Sequence, residues 1–310
     1  MNRRGRGATR ADFRISGAME RRLISCALAA LMALPATAIA QQAPASATGD
    51  PQSADQDLGA GPDGDVLTRT RLFQLYYAVK TAPGSGPDGT IRTVTTDTFK
   101  LRGDTNIDLN SDWQLALRAD LPFVAKDPYN SGNPNADFLY GLGDADVQGA
   151  VVHQLDARWT AGAGARLIMP TGGWDNGLGS GKWQIMPIAG VRYALPEISQ
   201  GSYLEPLLRY DRSFAGDPTS RAVSNLQFAP MVNFSLPDHW FFTLYPTPDI
   251  RWNFGPPVTG QTGRLFLPFD ARIGRKFSKF LNVSLEIGVP IVKQYPVYDF
   301  QTQLRVNMNF

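Results

Sequence analysis

Reactive side chains are nearly missing from this sequence. It holds one cysteine, Cys26, and two histidines, His153 and His239. A lone thiol builds no disulfide framework and no thiolate metal site. No His, Asp or Glu cluster has metal-ligand spacing. No Ser sits two residues from His153, and a turn separates Ser235 from His239, so no nucleophile–base pair is apparent. The chain is therefore expected to be no enzyme and to need no cofactor. An excess of one charge is also lacking. Thirty Lys and Arg face 28 Asp and Glu, and a net charge of +2 names no nucleic-acid partner. Apolar runs of helical-span length are absent, and mean hydropathy is slightly below zero.

What is present starts with a leader. Arg21 and Arg22 precede the apolar run Leu23 to Ala40, which ends Ala38-Ile39-Ala40. This is the n-region, h-region and small-x-small site of a signal peptide, so 1–40 is assigned as leader, with Met19 supplying an ordinary start. A transmembrane helix is the competing reading, but the run is short and contains Pro35. Leu23-Ile24-Ser25-Cys26 matches a lipoprotein box only on paper, because the apolar run follows Cys26. Residues 41–66 are rich in Ala, Pro, Ser, Gly, Gln and Asp, with little to bury. They read as a disordered periplasmic linker, with a lumenal plug as the alternative.

The end of the chain is a strand. Phe300-Gln301-Thr302-Gln303-Leu304-Arg305-Val306-Asn307-Met308-Asn309-Phe310 alternates apolar with polar residues and stops on an aromatic. Period two places one face in an apolar medium and the other in a polar one. A terminal aromatic strand of this kind resembles the signal read by the barrel-assembly machinery of the outer membrane, which makes Phe310 the assembly signal. From Thr70 onward about twelve such segments follow one another. Outward residues are Phe73, Leu75, Tyr77 and Val79 on the first and Phe99, Leu101, Ile107 and Leu109 on the second. Leu115, Leu117, Leu121 and Phe123 are outward on the third, and Leu226, Phe228, Val232 and Phe234 on the eighth. On the eleventh, Leu281 to Val292, apolar residues alternate with Asn282, Ser284, Glu286 and Gly288. Segments of about ten residues suit tilted strands crossing a bilayer. The expectation is an all-β, up-and-down antiparallel transmembrane barrel over 67–310.

Connections and aromatics agree with that reading. Asn110-Ser111-Asp112, Asp156-Ala157 and Pro237-Asp238-His239 are short. Ala82 to Gly89, Lys126 to Asp137, Gly172 to Lys182, Ala215 to Val223 and Gly255 to Arg264 are longer and rich in Gly, Asn and Pro. Short periplasmic turns and long outer loops are the habit of such barrels. Trp113, Trp159, Trp183, Trp240 and Trp252 fall near strand ends, where an amphipathic ring favours the interface. Pro122, Pro187, Pro206, Pro230, Pro246, Pro248, Pro268 and Pro290 fall inside strands, so bulges or ladder breaks are expected there. A soluble β-sandwich would also alternate, but here one face crowds charges of both signs.

That inward face carries Lys100, Arg102, Arg118, Arg166, Arg192, Arg209, Arg251, Arg272 and Arg305. It also carries Asp104, Asp108, Asp120, Asp144, Asp146, Glu205, Asp211, Asp249, Asp270 and Glu286. Arg118/Asp120, Arg209/Asp211, Asp249/Arg251 and Asp270/Arg272 are spaced i, i+2, about 7 Å apart on one face and within reach of Arg. Two readings stay open: a structural ion-pair network that fixes register, or a charged constriction that selects solutes. Gly162 and Gly164 face inward on the fifth segment and predict free lumen there. The run Gly177-Leu178-Gly179-Ser180-Gly181-Lys182-Trp183 lacks the offset and the Ser or Thr of a phosphate loop and reads as an outer loop.

The middle of the chain resembles a known family. Gly141-Leu142-Gly143-Asp144, then Leu167 to Pro170-Thr171-Gly172, then Gly177 to Gln184 look like the phenol-degradation meta-pathway outer-membrane family, often labelled "transporter". Gln227-Phe228-Ala229-Pro230 through Pro237-Asp238-His239-Trp240 to Trp252 is likewise similar. That family is in turn similar to the twelve-stranded barrel of the functional-amyloid secretion channel. The resemblance covers roughly Tyr140 to Phe310 and implies an outer-membrane channel for small, aromatic or apolar, solutes. Its partners would be outer-membrane lipid, the assembly machinery and an unnamed solute. The alternatives are a closed structural or assembly barrel and an amyloid-type secretion channel.

Overall fold

The computed structural model describes Leu67 and residues 71–85, 90–129 and 133–310. The leader and linker assigned above lie outside the described residues. Fourteen strand segments form one antiparallel sheet. They are β1 (Leu72–Ser85), β2 (Ile91–Asp108), β3 (Trp113–Lys126), β4 (Leu139–Leu142), β5 (Asp146–Gln154), β6 (Trp159–Ile168) and β7 (Lys182–Ala194). β8 (Tyr203–Gly216), β9 (Ser224–Ser235), β10 (Trp240–Leu244), β11 (Ile250–Asn253), β12 (Leu265–Lys276), β13 (Leu281–Lys293) and β14 (Phe300–Asn309) complete it. β4 and β5 both pair β3, and β10 and β11 both lie between β9 and β12, so each pair is one interrupted strand. The result is a twelve-stranded barrel. β14 pairs β1 from Leu72↔Asn309 to Thr81↔Phe300 and closes the ring.

Alternation decides which way each side chain points. On β14, Gln301, Gln303, Arg305 and Asn307 are buried; on β9, Asn225, Gln227, Ala229, Met231 and Asn233 are. The opposite parity is exposed and apolar: Phe99, Leu117, Leu121, Val147, Ile185, Val191, Leu208, Phe269, Ile273, Ile287 and Val289. A water-soluble protein does the reverse. A closed ring with polar side chains inside and an apolar belt outside satisfies its backbone internally and its surface in hydrocarbon. The belt is edged by aromatics. Trp113 stacks on His153 with centroids 4.1 Å apart, and Trp159 meets Tyr193 at 4.7 Å, both beside short turns.

Prolines account for several irregularities, while the register shift at Trp183/Gln184 has none beside it. Pro122 has no N–H, and beside it β3 changes partner from β5 to β4 with a one-residue shift, from Asp120↔Asp146 to Phe123↔Leu142. The fourth strand of the ring therefore starts at Leu139, and Gly143 N–H donates to the Pro122 carbonyl at 2.9 Å. Pro246 and Pro248 fall between β10 and β11, and a register shift sits at Leu267/Pro268. Pro206 and Pro230 face each other across β8 and β9 without breaking register. β1 runs on to Ser85, so Ala82 to Ser85 belong to a strand rather than to a loop. The turn after β7 spans 195–202, longer than its counterparts at that end, and is tied by Leu195 N–H to the Ser202 carbonyl at 2.8 Å.

Candidate functional site

The barrel interior has two unlike walls. The first is charged. Arg102 on β2 stands directly opposite Asp120 on β3, and Asp104 opposite Arg118. Arg102 donates from Nε and Nη2 to both Asp120 oxygens at 2.6 and 2.5 Å, and Arg118 donates likewise to Asp104 at 2.7 Å each. Lys100 adds a third contact, Nζ to Asp120 at 3.1 Å, while sitting 4.3 Å over the Tyr76 ring. Such forked pairs satisfy both partners out of water. They run across strands rather than along them. The expected i, i+2 pairing does not form for Arg118/Asp120, because cross-strand Cβ atoms are nearer, about 5 Å against 7 Å.

The same logic governs the far side of the ring. Glu286 on β13 binds Arg305 on β14, both wholly buried, and accepts from Thr247 Oγ1 at 2.8 Å. Asp249 and Arg251 form a pair spaced i, i+2 that does close, at the interrupted strand, where the ladder is broken. Asp270 and Arg272 do not pair with each other. Arg272 lies over Phe241 at 5.3 Å and donates to Thr243 Oγ1 at 3.3 Å, and Asp270 is buried. On the remaining strands Arg192 Nε binds Glu205 at 2.6 Å, and Arg166 holds Gln148 at 3.0 and 3.1 Å with Asp146 at 3.4 Å. Arg209 and Asp211 are buried on β8.

Asp144 departs from the expectation. It lies in the gap between β4 and β5, and its carboxylate accepts from Gly172 N–H at 3.1 Å and from Ser180 N–H and Oγ at 2.7 and 2.6 Å. It pins the loop after β6 instead of lining a strand. A Cβ on Gly179 would come within 2.5 Å of Asp144 Oδ1, and one on Gly172 within 2.8 Å of Gly179 Cα. Close backbone approach thus requires glycine in these motifs. The glycine-rich stretch is a loop clamp.

The second wall carries an apolar band between its polar side chains. Ala150, Val152, Met186, Ile188, Leu207 and Ala229 face inward on β5 and β7–β9 and form one buried cluster. Leu67, which precedes β1, is part of it and 2% exposed. The expected free space at Gly162 is occupied, since a Cβ there would stand 2.4 Å from Leu67 Cδ2. At Gly164 a Cβ would lie 2.1 Å from the Gly149 carbonyl oxygen, so that space is closed by the neighbouring strand. Sequence reasoning missed this wall. Its signal was that β5 and β7 are apolar on both faces, with Met186 and Ile188 inside and Ile185 and Val191 outside. Among the described residues no group of His, Cys, Asp or Glu could hold a metal ion. His153 contacts Trp113 and the Asp112 carbonyl at 3.3 Å.

Apolar belt, polar interior and closed ladder together define a transmembrane β-barrel. A family model described as "Putative MetA-pathway of phenol degradation" matches residues 77–242, and the chain belongs to that family. No curated protein sequence matches it. Among solved structures, a NanC porin is similar over 77% of this chain and 98% of that one, with 9% identity and a TM-score of 0.46. A KdgM porin in complex with disordered oligogalacturonate covers 76% of this chain and 98% of its own, with 12% identity and a TM-score of 0.40. The translocator domain of the autotransporter NalP from Neisseria meningitidis covers 78% and 89%, with 12% identity and a TM-score of 0.40. Identities this low carry nothing about what this barrel conducts.

Proposed function

We infer that the chain is an outer-membrane channel for small solutes with an aromatic or apolar body. The observation that carries this reading is the mixed interior, in which paired charges border a band of apolar side chains across β5–β9. A solute with a polar edge and an apolar body meets both kinds of surface. The family's description, which names phenol degradation, agrees with such cargo. Passage would run from the long loops, past Arg166 and Gln148, toward the short turns near Arg192. The closing strand, with Phe310 76% exposed, suits recognition by the assembly machinery.

Single-channel recording of the refolded mature protein in a planar bilayer, with and without 41–65, tests the reading. Discrete steps are expected. Arg166→Gln with Arg192→Gln is expected to shift selectivity toward cations. Silence from both forms, with folding shown by heat-dependent gel mobility, would remove the channel. A second reading, a closed structural barrel, draws on the full burial of Arg102, Asp270, Glu286 and Arg305. Buried charges paired across strands lock register whether or not a path remains between them.

A further inference from the structure

Interior positions of this barrel are mostly polar, and two buried apolar clusters interrupt them, Phe266 with Tyr295 and Tyr298 near the long loops and a larger one across β5–β9. Val152 pairs with Gly162, Gly162 with Gly190, Gly190 with Leu207, and Leu207 with Ala229. One row across five strands therefore presents hydrocarbon or bare backbone to the lumen. The rows on either side broaden the patch with Ala150, Ile188 and Met186. Polar groups frame it along the strand direction. Arg166, opposite Met186, and Gln148 stand on the side of the long loops, and Thr160 with the Arg192–Glu205 pair on the side of the short turns. None of the patch side chains carries a hydrogen-bonding group, apart from the weakly polar Met186 thioether, which suits aromatic edges.

The patch is not left bare. Leu67 is seated on it with its Cδ2 against β6, at a spot that exists because residue 162 has no side chain. Leu67 lies only five positions before Leu72, where β1 begins on the other side of the interior. Five residues reach at most about 17 Å, so Leu67 lies within that distance of Leu72. The fold thus places a hydrocarbon side chain from outside the sheet onto the apolar band of β5–β9.

We propose that this patch is a binding subsite for a neutral apolar group, a single aromatic ring or a short branched alkyl chain, and that Leu67 is its resident occupant, which such a solute displaces. The proposal rests on the channel reading above for its cargo class and adds the place and the competitor. A site filled by its own chain binds an outside ligand only in the fraction of molecules where the occupant has left, so occupancy lowers apparent affinity. Removing the Leu67 side chain opens the site without altering its walls. Adding a methyl at residue 162 evicts Leu67 while leaving Leu67 itself intact.

The test uses the refolded full-length mature protein in micelles, labelled with carbon-13 at leucine methyls, with toluene as the probe and detergent held constant. The Leu67 resonance is identified by its loss in Leu67→Ala. Toluene is expected to move the Leu67 methyls of the wild type to an unpacked position. Leu67→Ala is expected to bind toluene tighter by about tenfold or more. Gly162→Ala is expected to unpack Leu67 without toluene, and Leu67→Met, which keeps an apolar occupant, to bind close to wild type. Methyls unmoved by saturating toluene, with equal affinities in wild type and Leu67→Ala, would overturn the subsite. Toluene uptake into vesicles separates the two claims. Leu67-dependent binding without uptake keeps the subsite and removes the channel. Uptake equal in wild type and Leu67→Ala, with no methyl response, keeps the channel and removes the subsite. Heat-dependent gel mobility confirms that each variant is folded.

Discussion

Asp120 neutralises two cations at once, and its removal should show how strongly the charged wall holds the barrel. Arg102 and Asp120 both have side chains 1% exposed, and Lys100, 12% exposed, shares the same carboxylate. Asp120→Ala takes this carboxylate away from both cations inside the ring. Removing one partner of a buried pair costs about 3–5 kcal/mol. Arg102→Leu should cost less, about 1–3 kcal/mol, because Asp120 keeps Lys100 at 3.1 Å. Combining the two should recover at least about 1 kcal/mol relative to Asp120→Ala, since one of the two buried cations is gone. The assay is urea unfolding and refolding in phospholipid vesicles, followed by tryptophan fluorescence, with the slope checked for constancy. An Asp120→Ala midpoint within about 1 kcal/mol of wild type would refute the reasoning. So would equal costs for the two single variants, because then the fork and not the charge count would set the energy.

Four further outcomes are expected. Asp144→Ala should free the loop after β6, raising amide exchange at Gly172 and Ser180, whose N–H groups it accepts, by about tenfold or more; unchanged exchange would show that the loop holds itself. Gly216→Ala should lower the unfolding midpoint by about 1–3 kcal/mol, because φ is +121° and a Cβ would stand 2.2 Å from the Gly181 carbonyl oxygen. The Asp156 carboxylate caps its turn by accepting from the N–H groups of Arg158 and Trp159, both at 2.7 Å, which holds its pKa below the usual carboxylate range. A depressed carboxylate stabilises above its ordinary pKa and loses that contribution as pH falls through the folded value. Asp156→Asn should therefore flatten the acid-side exchange profile of this turn. Phe310→Ala should leave spontaneous folding into vesicles intact yet slow insertion by the assembly machinery, as read by pulse–chase, because the ring is exposed while the backbone N–H, 3.1 Å from the Arg71 carbonyl oxygen, ties the residue to the barrel.

Period-two alternation by itself determined the class of this protein. Phe300 to Phe310 and Leu281 to Val292 sort apolar from polar residues along one dimension, and a strand converts that order directly into two faces. The strand count, the alternation of short and long connections, and the breaks at Pro122, Pro246, Pro248 and Pro268 were legible for the same reason, since each depends on a residue and its near neighbours. Pairing was not. Which Asp meets Arg102 depends on the register of β2 against β3, and a shift of one residue would turn the Arg102 side chain to lipid. Asp144 could not be told from the lumen charges because its partners lie 28 and 36 residues further on, in a loop that folds back. The apolar wall and Leu67 are the clearest case. An inward Ile188 reads as an ordinary strand residue, and Leu67 as the first residue of the barrel domain, until ring closure brings five strands and Leu67 onto one surface. Local sequence order sets which face each residue joins; only the closed ladder, by fixing register around the ring, sets what each face meets.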